Sequence, residues 1–331
     1  MLNEDISTVV SEAAEVFSAI RAEVQRNVID QTELIDRLLI GLITSGHILV
    51  EGVPGLAKSL TVASLATALQ VSNIRIQFTP DLLPADLIGT EVLNPKDASF
   101  SVRKGPIFSS IVMADEINRA PAKVQSALLE AMEERQVSIG GETFFLPDPF
   151  LVIATQNPLD HEGTYPLPEA QLDRFLLKVQ VNYPNRKAEK KILDQHLEPT
   201  TVDEAAGNKI TVSREDLVKA RAAVLEVSMD DSLKGYIIQV VQATRYPAEN
   251  RLPELKDLIA FGASPRASIA LGLASRAYAL LQGRDYVIPE DIKALVPEVL
   301  RHRLITTYEA DAEDISKDDL IERILAAVAI P

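Results

Sequence analysis

Apolar positions fall into two textures along the chain. Through the first 185 residues, short apolar runs alternate with helical stripes; after that, helical stripes continue alone. Residues 5–26 place Val9, Ala13, Phe17 and Ile20 on one side with Glu and Arg between, which predicts an amphipathic helix. Val28-Ile29-Asp30-Gln31 interrupts it, and 31–44 predicts a second helix. The apolar run 47–50 predicts a buried strand, and 60–70, with Val62, Ala66 and Leu69 at helical spacing, a helix. Residues 74–78 alternate and predict a second strand, while Pro80, Asp81, Pro84, Asp86 and Gly89 predict a loop over 79–90. Residues 91–93 and 100–103 flank Asn94-Pro95-Lys96-Asp97 as a hairpin, and 136–139 and 142–146 flank Gly140-Gly141 as another. Runs at 111–114, 150–154 and 176–181 supply three more strands. Between the first two of these, Pro121 opens a helix to about Arg135 with Val124, Leu128 and Ala131 as its buried stripe.

From Asn185 the pattern predicts helices over 186–196, 213–225, 231–244, 264–282, 289–303 and 317–328, with a break at 199–208. Ser264-Pro265 and Pro289-Glu290-Asp291 are helix starts. The expected architecture is therefore an α/β domain over 1–185, its mainly parallel five-stranded sheet covered by helices on both faces, and an all-helical domain over 186–331.

Composition removes several kinds of chemistry. The absence of cysteine excludes disulfides, thiolate catalysis and a Cys zinc site, and suits a cytoplasmic protein. Four scattered His form no HExxH pair. No apolar run approaches the roughly 18 residues of a membrane span, and the acidic, polar start is not a secretory signal. A net charge of −15 opposes general binding to nucleic acid.

The chemistry centres on Gly52–Ser59, GVPGLAKS, between a buried strand and a helix. Strand, Gly/Pro-rich turn, Lys-Ser and helix is the layout of a phosphate-binding loop. Gly52 and Gly55 let several N–H groups face one point, with the positive end of the helix behind them. Lys58 is placed to reach outer phosphates and the Ser59 hydroxyl to bind Mg²⁺. Ala57 stands where the second Gly of the generic pattern is usual; the cradle survives if Ala57 has helical dihedrals.

Four further signals follow. Asp115 and Glu116 end an apolar strand: Asp115 can hold Mg²⁺ through water and Glu116 can deprotonate a water, or the pair caps the next helix. Asn157 ends another strand, as a water-positioning amide or as a turn residue before Pro158. Arg174, in PEAQLDRF, is a salt-bridge partner or an arginine finger for a neighbour's nucleotide. Arg266 begins a helix, where the dipole disfavours a cation, so a phosphate or a nearby carboxylate should compensate. Val28 and Ile29, close before the loop in sequence, contact a nucleotide base or are simply core.

GVPGLAKS, IVMADEINRAPAKVQSALLEAMEE, ATQNP, PLPEAQLDRF and GASPRAS, in this order and at these separations, resemble a MoxR-type AAA+ ATPase over about residues 28–303. In that family Ala is usual at position 57, and Asp30 stands where Gly is common. The resemblance implies a P-loop NTPase sheet followed by a helical lid. It implies ATP held by Val28, Ile29, Gly52, Val53, Pro54, Gly55, Leu56, Ala57, Lys58, Ser59, Leu60 and Asp115, with Mg²⁺ on Ser59 and Asp115. Lys58 becomes the Walker A lysine, Asp115 and Glu116 the Walker B pair, Asn157 sensor 1, Arg174 the arginine finger and Arg266 sensor 2. The two hairpins match the helix-2 and pre-sensor insertions. The resemblance further implies a homo-oligomeric ring, usually hexameric, that remodels a protein client in a chaperone-like way, often with a von Willebrand factor A domain partner. The alternatives are a related motor acting on nucleic acid, a small-molecule kinase, and a nucleotide-gated scaffold with little turnover.

Overall fold

The computed structural model describes residues 6–96, 98–158, 163–197 and 214–331. Asp97, the break expected at 199–208 and the start of the helix expected at 213 lie outside the described residues. The chain forms two compact units: Ser18–Arg174 with Val179–Arg214, and Met1–Phe17 with Phe175–Lys178 and Glu215–Pro331.

The first unit is built on a five-stranded sheet, with β1 Ile48–Glu51, β2 Asn73–Gln77, β3 Ile111–Asp115, β4 Leu151–Gln156 and β5 Leu177–Gln180. Their order is β2-β3-β4-β1-β5, and the β2–β3, β3–β4 and β4–β1 pairings are parallel. Phe175–Lys178, which opens β5, clusters with the second unit. Every residue of β3 is buried, as are the first five of β4, whereas β2 at the edge alternates. Central strands covered on both faces need continuous apolar runs, and these sequences supply them. His47 anchors the start of β1 in the core: its Nε2–H donates to the Met132 carbonyl at 3.1 Å and its Nδ1 accepts from the Val152 N–H at 3.0 Å.

Both hairpins form. Gly89–Asn94 pairs antiparallel with Ser99–Lys104, and Gln136–Ile139 with Glu142–Phe145. Gly140 and Gly141 both have positive φ, 61° and 84°, the turn that a two-residue hairpin loop requires. The Lys104 ammonium lies 4.7 Å from the Phe108 ring centre and 5.1 Å from that of Phe144, which joins the base of one hairpin to the other.

Two expectations are corrected here. The loop expected over 79–90 contains the helix Pro84–Ile88, because Pro84 sits at its first position and the Asp86 carboxylate accepts from the Leu83 N–H at 2.9 Å. The residues that read as stops start a helical turn instead. Pro121 is the cap and not the first helical residue; its ψ of 153° is extended, and the helix begins at Ala122.

The second unit contains helices Arg214–Glu226, Asp231–Arg245, Pro265–Leu281, Pro289–Leu300 and Lys317–Ala327. A short antiparallel pair, Ile259–Phe261 with Ile305–Thr306, lies among them. The helix expected to reach residue 303 ends at Leu300. The next three residues turn their side chains onto backbone carbonyls: Arg301 to Lys178 at 2.8 Å, His302 to Phe175 at 3.0 Å and Arg303 to Phe175 at 2.7 Å. Among the described residues, no helix is long and apolar enough to cross a membrane.

Candidate active site

The loop that follows β1 is shaped by two left-handed residues. Gly55 has φ 87° and nothing within 4 Å of where a Cβ would stand. Ala57 has φ 56° and ψ 17°, so its helical dihedrals are of the hand opposite to the helix Lys58–Leu69 that it caps. That conformation costs an L-residue with a Cβ roughly 1–2 kcal/mol, which explains why the generic pattern has Gly here. The Ala57 carbonyl repays part of this by accepting from both the N–H and the Oγ1–H of Thr61, each at 2.9 Å. Gly52 is required for another reason: a Cβ there would stand 2.8 Å from the Val181 carbonyl oxygen.

Lys58 is half-buried and its ammonium donates to the Gly52 carbonyl at 2.5 Å. Burial pulls its pKa below 10.5, and the charges of Asp115 and Glu116 oppose that shift. The two carboxylates and the ammonium therefore act on one another across the same space.

Asp115 is 8% exposed at the end of β3, and both of its oxygens have partners. Oδ1 accepts from Thr155 Oγ1–H at 2.5 Å. Oδ2 accepts from Arg75 Nε–H at 2.9 Å and from a second N–H of the same guanidinium. Glu116 follows with φ 56°, a left-handed residue that turns the chain out of the strand. Its N–H donates to Thr155 Oγ1 at 2.9 Å, so one hydroxyl ties both acidic residues to β4. Glu116 Oε2 accepts from Gln77 at 2.8 Å and pairs with Arg119 at 3.2 Å.

Arg75, Gln77, Arg119 and Thr155 were not singled out from the sequence. The signal for the first two lay in the edge strand β2, where alternation puts them on one face, with Gln77 in register with Asp115. Thr155 stands in the ATQNP run, two residues before Asn157.

A cleft of about 360 Å³ brings Lys58, Ser59, Asp115, Glu116 and Asn157 together with Arg75 and Thr155. An apolar pocket of about 300 Å³, lined by Val28, Ile29 and Ile192, shares Gly55, Leu56, Ala57 and Leu60 with it as a common wall. Val28 is core, at 2% exposed, and also lines that pocket. Arg174 does not line the cleft; it donates to the Leu129 carbonyl at 2.7 Å and pairs with Glu133 at 2.8 Å. Arg266 belongs to the second unit, exposed in the first turn of its helix, where Ser264 Oγ accepts its N–H at 3.2 Å.

This donor set suits a polyphosphate and a divalent ion together. Among the described residues there is no group of three or more His, Cys, Asp or Glu that could hold a metal alone. One hydroxyl at Ser59 and one carboxylate at Asp115 make an incomplete shell that phosphate oxygens and water would fill, as Mg²⁺ prefers.

Residues 47–177 match the model of the ATPase family associated with various cellular activities (AAA), and residues 255–324 match the AAA lid domain. The chain is 49% identical to Chaperone MoxR1 of Mycobacterium tuberculosis, over 96% of this chain and 84% of that one. It is 31% identical to Protein MoxR of Methylorubrum extorquens, over 93% of each. A crystal structure of a candidate ATPase from Cytophaga hutchinsonii superimposes with a TM-score of 0.88 at 47% identity, covering 98% of this chain and 97% of that one. With the phosphate loop, the acidic strand end and the helical domain all in place, the chain belongs to the MoxR-type AAA+ ATPases.

Proposed function

We propose that the protein hydrolyses Mg²⁺-ATP and uses the free energy for chaperone-like remodelling or maturation of a protein client, as a cytoplasmic ring of six subunits in its family's manner. The observation that carries this reading is the single cleft where Lys58 and Ser59 face Asp115, Glu116 and Asn157, beside an apolar pocket of base size. The phosphate loop binds the triphosphate through its N–H groups, with Lys58 on the outer phosphates, and the pocket at Val28 and Ile29 takes the base. Ser59, and Asp115 through water, would hold Mg²⁺, which supplies charge neutralisation at the phosphates. Glu116 takes a proton from a water that Asn157 helps to position. The water oxygen bonds to the γ-phosphorus as the bond to the β–γ bridging oxygen breaks, giving ADP and phosphate.

Arg174 reaches a neighbour's nucleotide and Arg266 acts from the lid; both roles rest on the family resemblance. So does a von Willebrand factor A domain partner. The hairpin Gly89–Asn94/Ser99–Lys104 offers a client two apolar side chains directly opposite one another, Leu93 at 51% and Phe100 at 67% exposed. The test is phosphate release from ATP with Mg²⁺ and no added acceptor, in the natural chain and in Glu116→Gln. Release that Glu116→Gln abolishes while ATP still binds supports the reading; release that needs an acceptor, or that survives the change, overturns it.

A further inference from the structure

Asp30 is left-handed, with φ 61°, in the loop between helices Ile6–Asn27 and Thr32–Ile43. Asp tolerates that region better than most residues with a Cβ, but Gly would serve the backbone alone equally well. What Gly would lack is the carboxylate. Asp30 Oδ2 accepts from the Asn185 Nδ2–H at 2.9 Å and from the Asn185 backbone N–H at 3.4 Å, across 155 residues of sequence.

Asn185 is committed at its other end. Its Oδ1 accepts from the N–H groups of Lys187 at 3.0 Å and Ala188 at 3.1 Å, the first turn of the helix Arg186–Leu197. An oxygen that caps a helix leaves only the amide nitrogen to face Asp30, so the side chain has one orientation. The two partners flank the apolar pocket. Val28 and Ile29, just before Asp30, line it, as do Pro184, just before Asn185, and Ile192, on the capped helix.

We propose that the Asp30–Asn185 pair is a positioning clamp that sets the width of the base pocket, and so fixes how strongly the base of a nucleotide is held. The inference rests on the nucleotide reading of that pocket. The clamp acts on the base and not on the phosphates, because the residues it joins line the apolar pocket while Lys58, Ser59 and Asp115 line the cleft on the other side of the shared wall.

Two substitutions break the clamp without disturbing what surrounds it. Asp30→Gly keeps a left-handed residue; Asn185→Asp keeps the helix cap but replaces the donor with a second carboxylate. Each should weaken ATP binding roughly three- to tenfold, the scale of one hydrogen bond to a charged group near the surface, and leave inorganic tripolyphosphate binding unchanged. The exchange Asp30→Asn with Asn185→Asp restores a donor facing a carboxylate and should recover most of the ATP affinity. Ile29→Ala, measured alongside, reports the pocket itself. If Ile29→Ala weakens ATP binding and the clamp variants do not, the clamp is wrong and the pocket stands. If no variant affects ATP, the pocket assignment fails and takes the clamp with it. Equal loss for ATP and tripolyphosphate, or no recovery in the exchanged pair, also overturns the proposal.

Discussion

Gln77 Nε2–H donates to Glu116 Oε2 at 2.8 Å, from the edge strand β2 to the residue just beyond β3. The same oxygen pairs with Arg119 at 3.2 Å. Two donors on one oxygen fix the rotamer of a carboxylate that lines the cleft.

On the role proposed for Glu116, a base held this way should depend on its holders. Gln77→Ala is expected to lower turnover by about tenfold, since small displacements of a reacting group are costly, while ATP affinity stays within about twofold. Steady-state phosphate release beside equilibrium nucleotide binding separates the two. A loss of affinity without loss of turnover would remove Gln77 from any role through Glu116.

Arg174 can be tested across an interface. Arg174→Ala and Glu116→Gln should each be inactive alone, and mixing them should recover a fraction of the natural rate, because some sites then pair a sound Glu116 with a sound Arg174. Native mass spectrometry confirms that mixed assemblies form; mixed assemblies with no recovery at any ratio would place Arg174 in its own subunit's chemistry or outside it.

On the role proposed for Lys58, ATP binding should depend on pH. Burial lowers its pKa below 10.5 in the free protein, whereas bound phosphates favour the ammonium. Affinity is therefore full at pH values where Lys58 is already charged, and falls as pH rises through its lowered pKa. The dissociation constant should begin to climb below pH 10.5, and Lys58→Arg, whose charge persists, should lose that alkaline limb. A flat profile up to the ordinary lysine range would contradict the shift.

His47 does the opposite kind of work. It is buried and neutral, and burial, with the Arg135 charge adding to it, lowers its pKa from 6.5 to about 3. Between those values the unfolded chain binds a proton that the folded chain refuses. Its contribution is complete above pH 6.5 and is lost as pH falls toward 3, by up to about 1.4 kcal/mol per pH unit. His302, fully buried in the second unit, has the same sign for the same reason. Urea unfolding at pH 7 and pH 5 should show a loss that His47→Gln reduces by about 2 kcal/mol; an identical loss in both proteins would refute it.

Much of the sheet was legible because buried parallel strands must be apolar runs, and 111–114 and 150–154 contain little else. The strand pair at Ile259–Phe261 and Ile305–Thr306 was not, since segments of three and two residues carry no period. Ala57 and Asp30 show another limit: a left-handed φ is written in the sequence only when Gly occupies the position. Asp115 and Glu116 stood out from their place after an apolar run, and Lys58 from the Gly/Pro-rich turn before it. Arg75 and Gln77 were missed because polar residues alternating on an edge strand look solvent-facing until the neighbouring strand is known.

The pairing of Arg174 with Glu133 has a bearing on assembly. On the proposed role, a lone subunit carries its guanidinium already neutralised, so the residue does not advertise a bare charge to whatever anion drifts past. Joining a neighbour then becomes an exchange of one anion for another, and its strength is the difference between a carboxylate at home and a triphosphate next door. Such an exchange favours closure only when the neighbour is loaded, which makes nucleotide the natural arbiter of when subunits hold together.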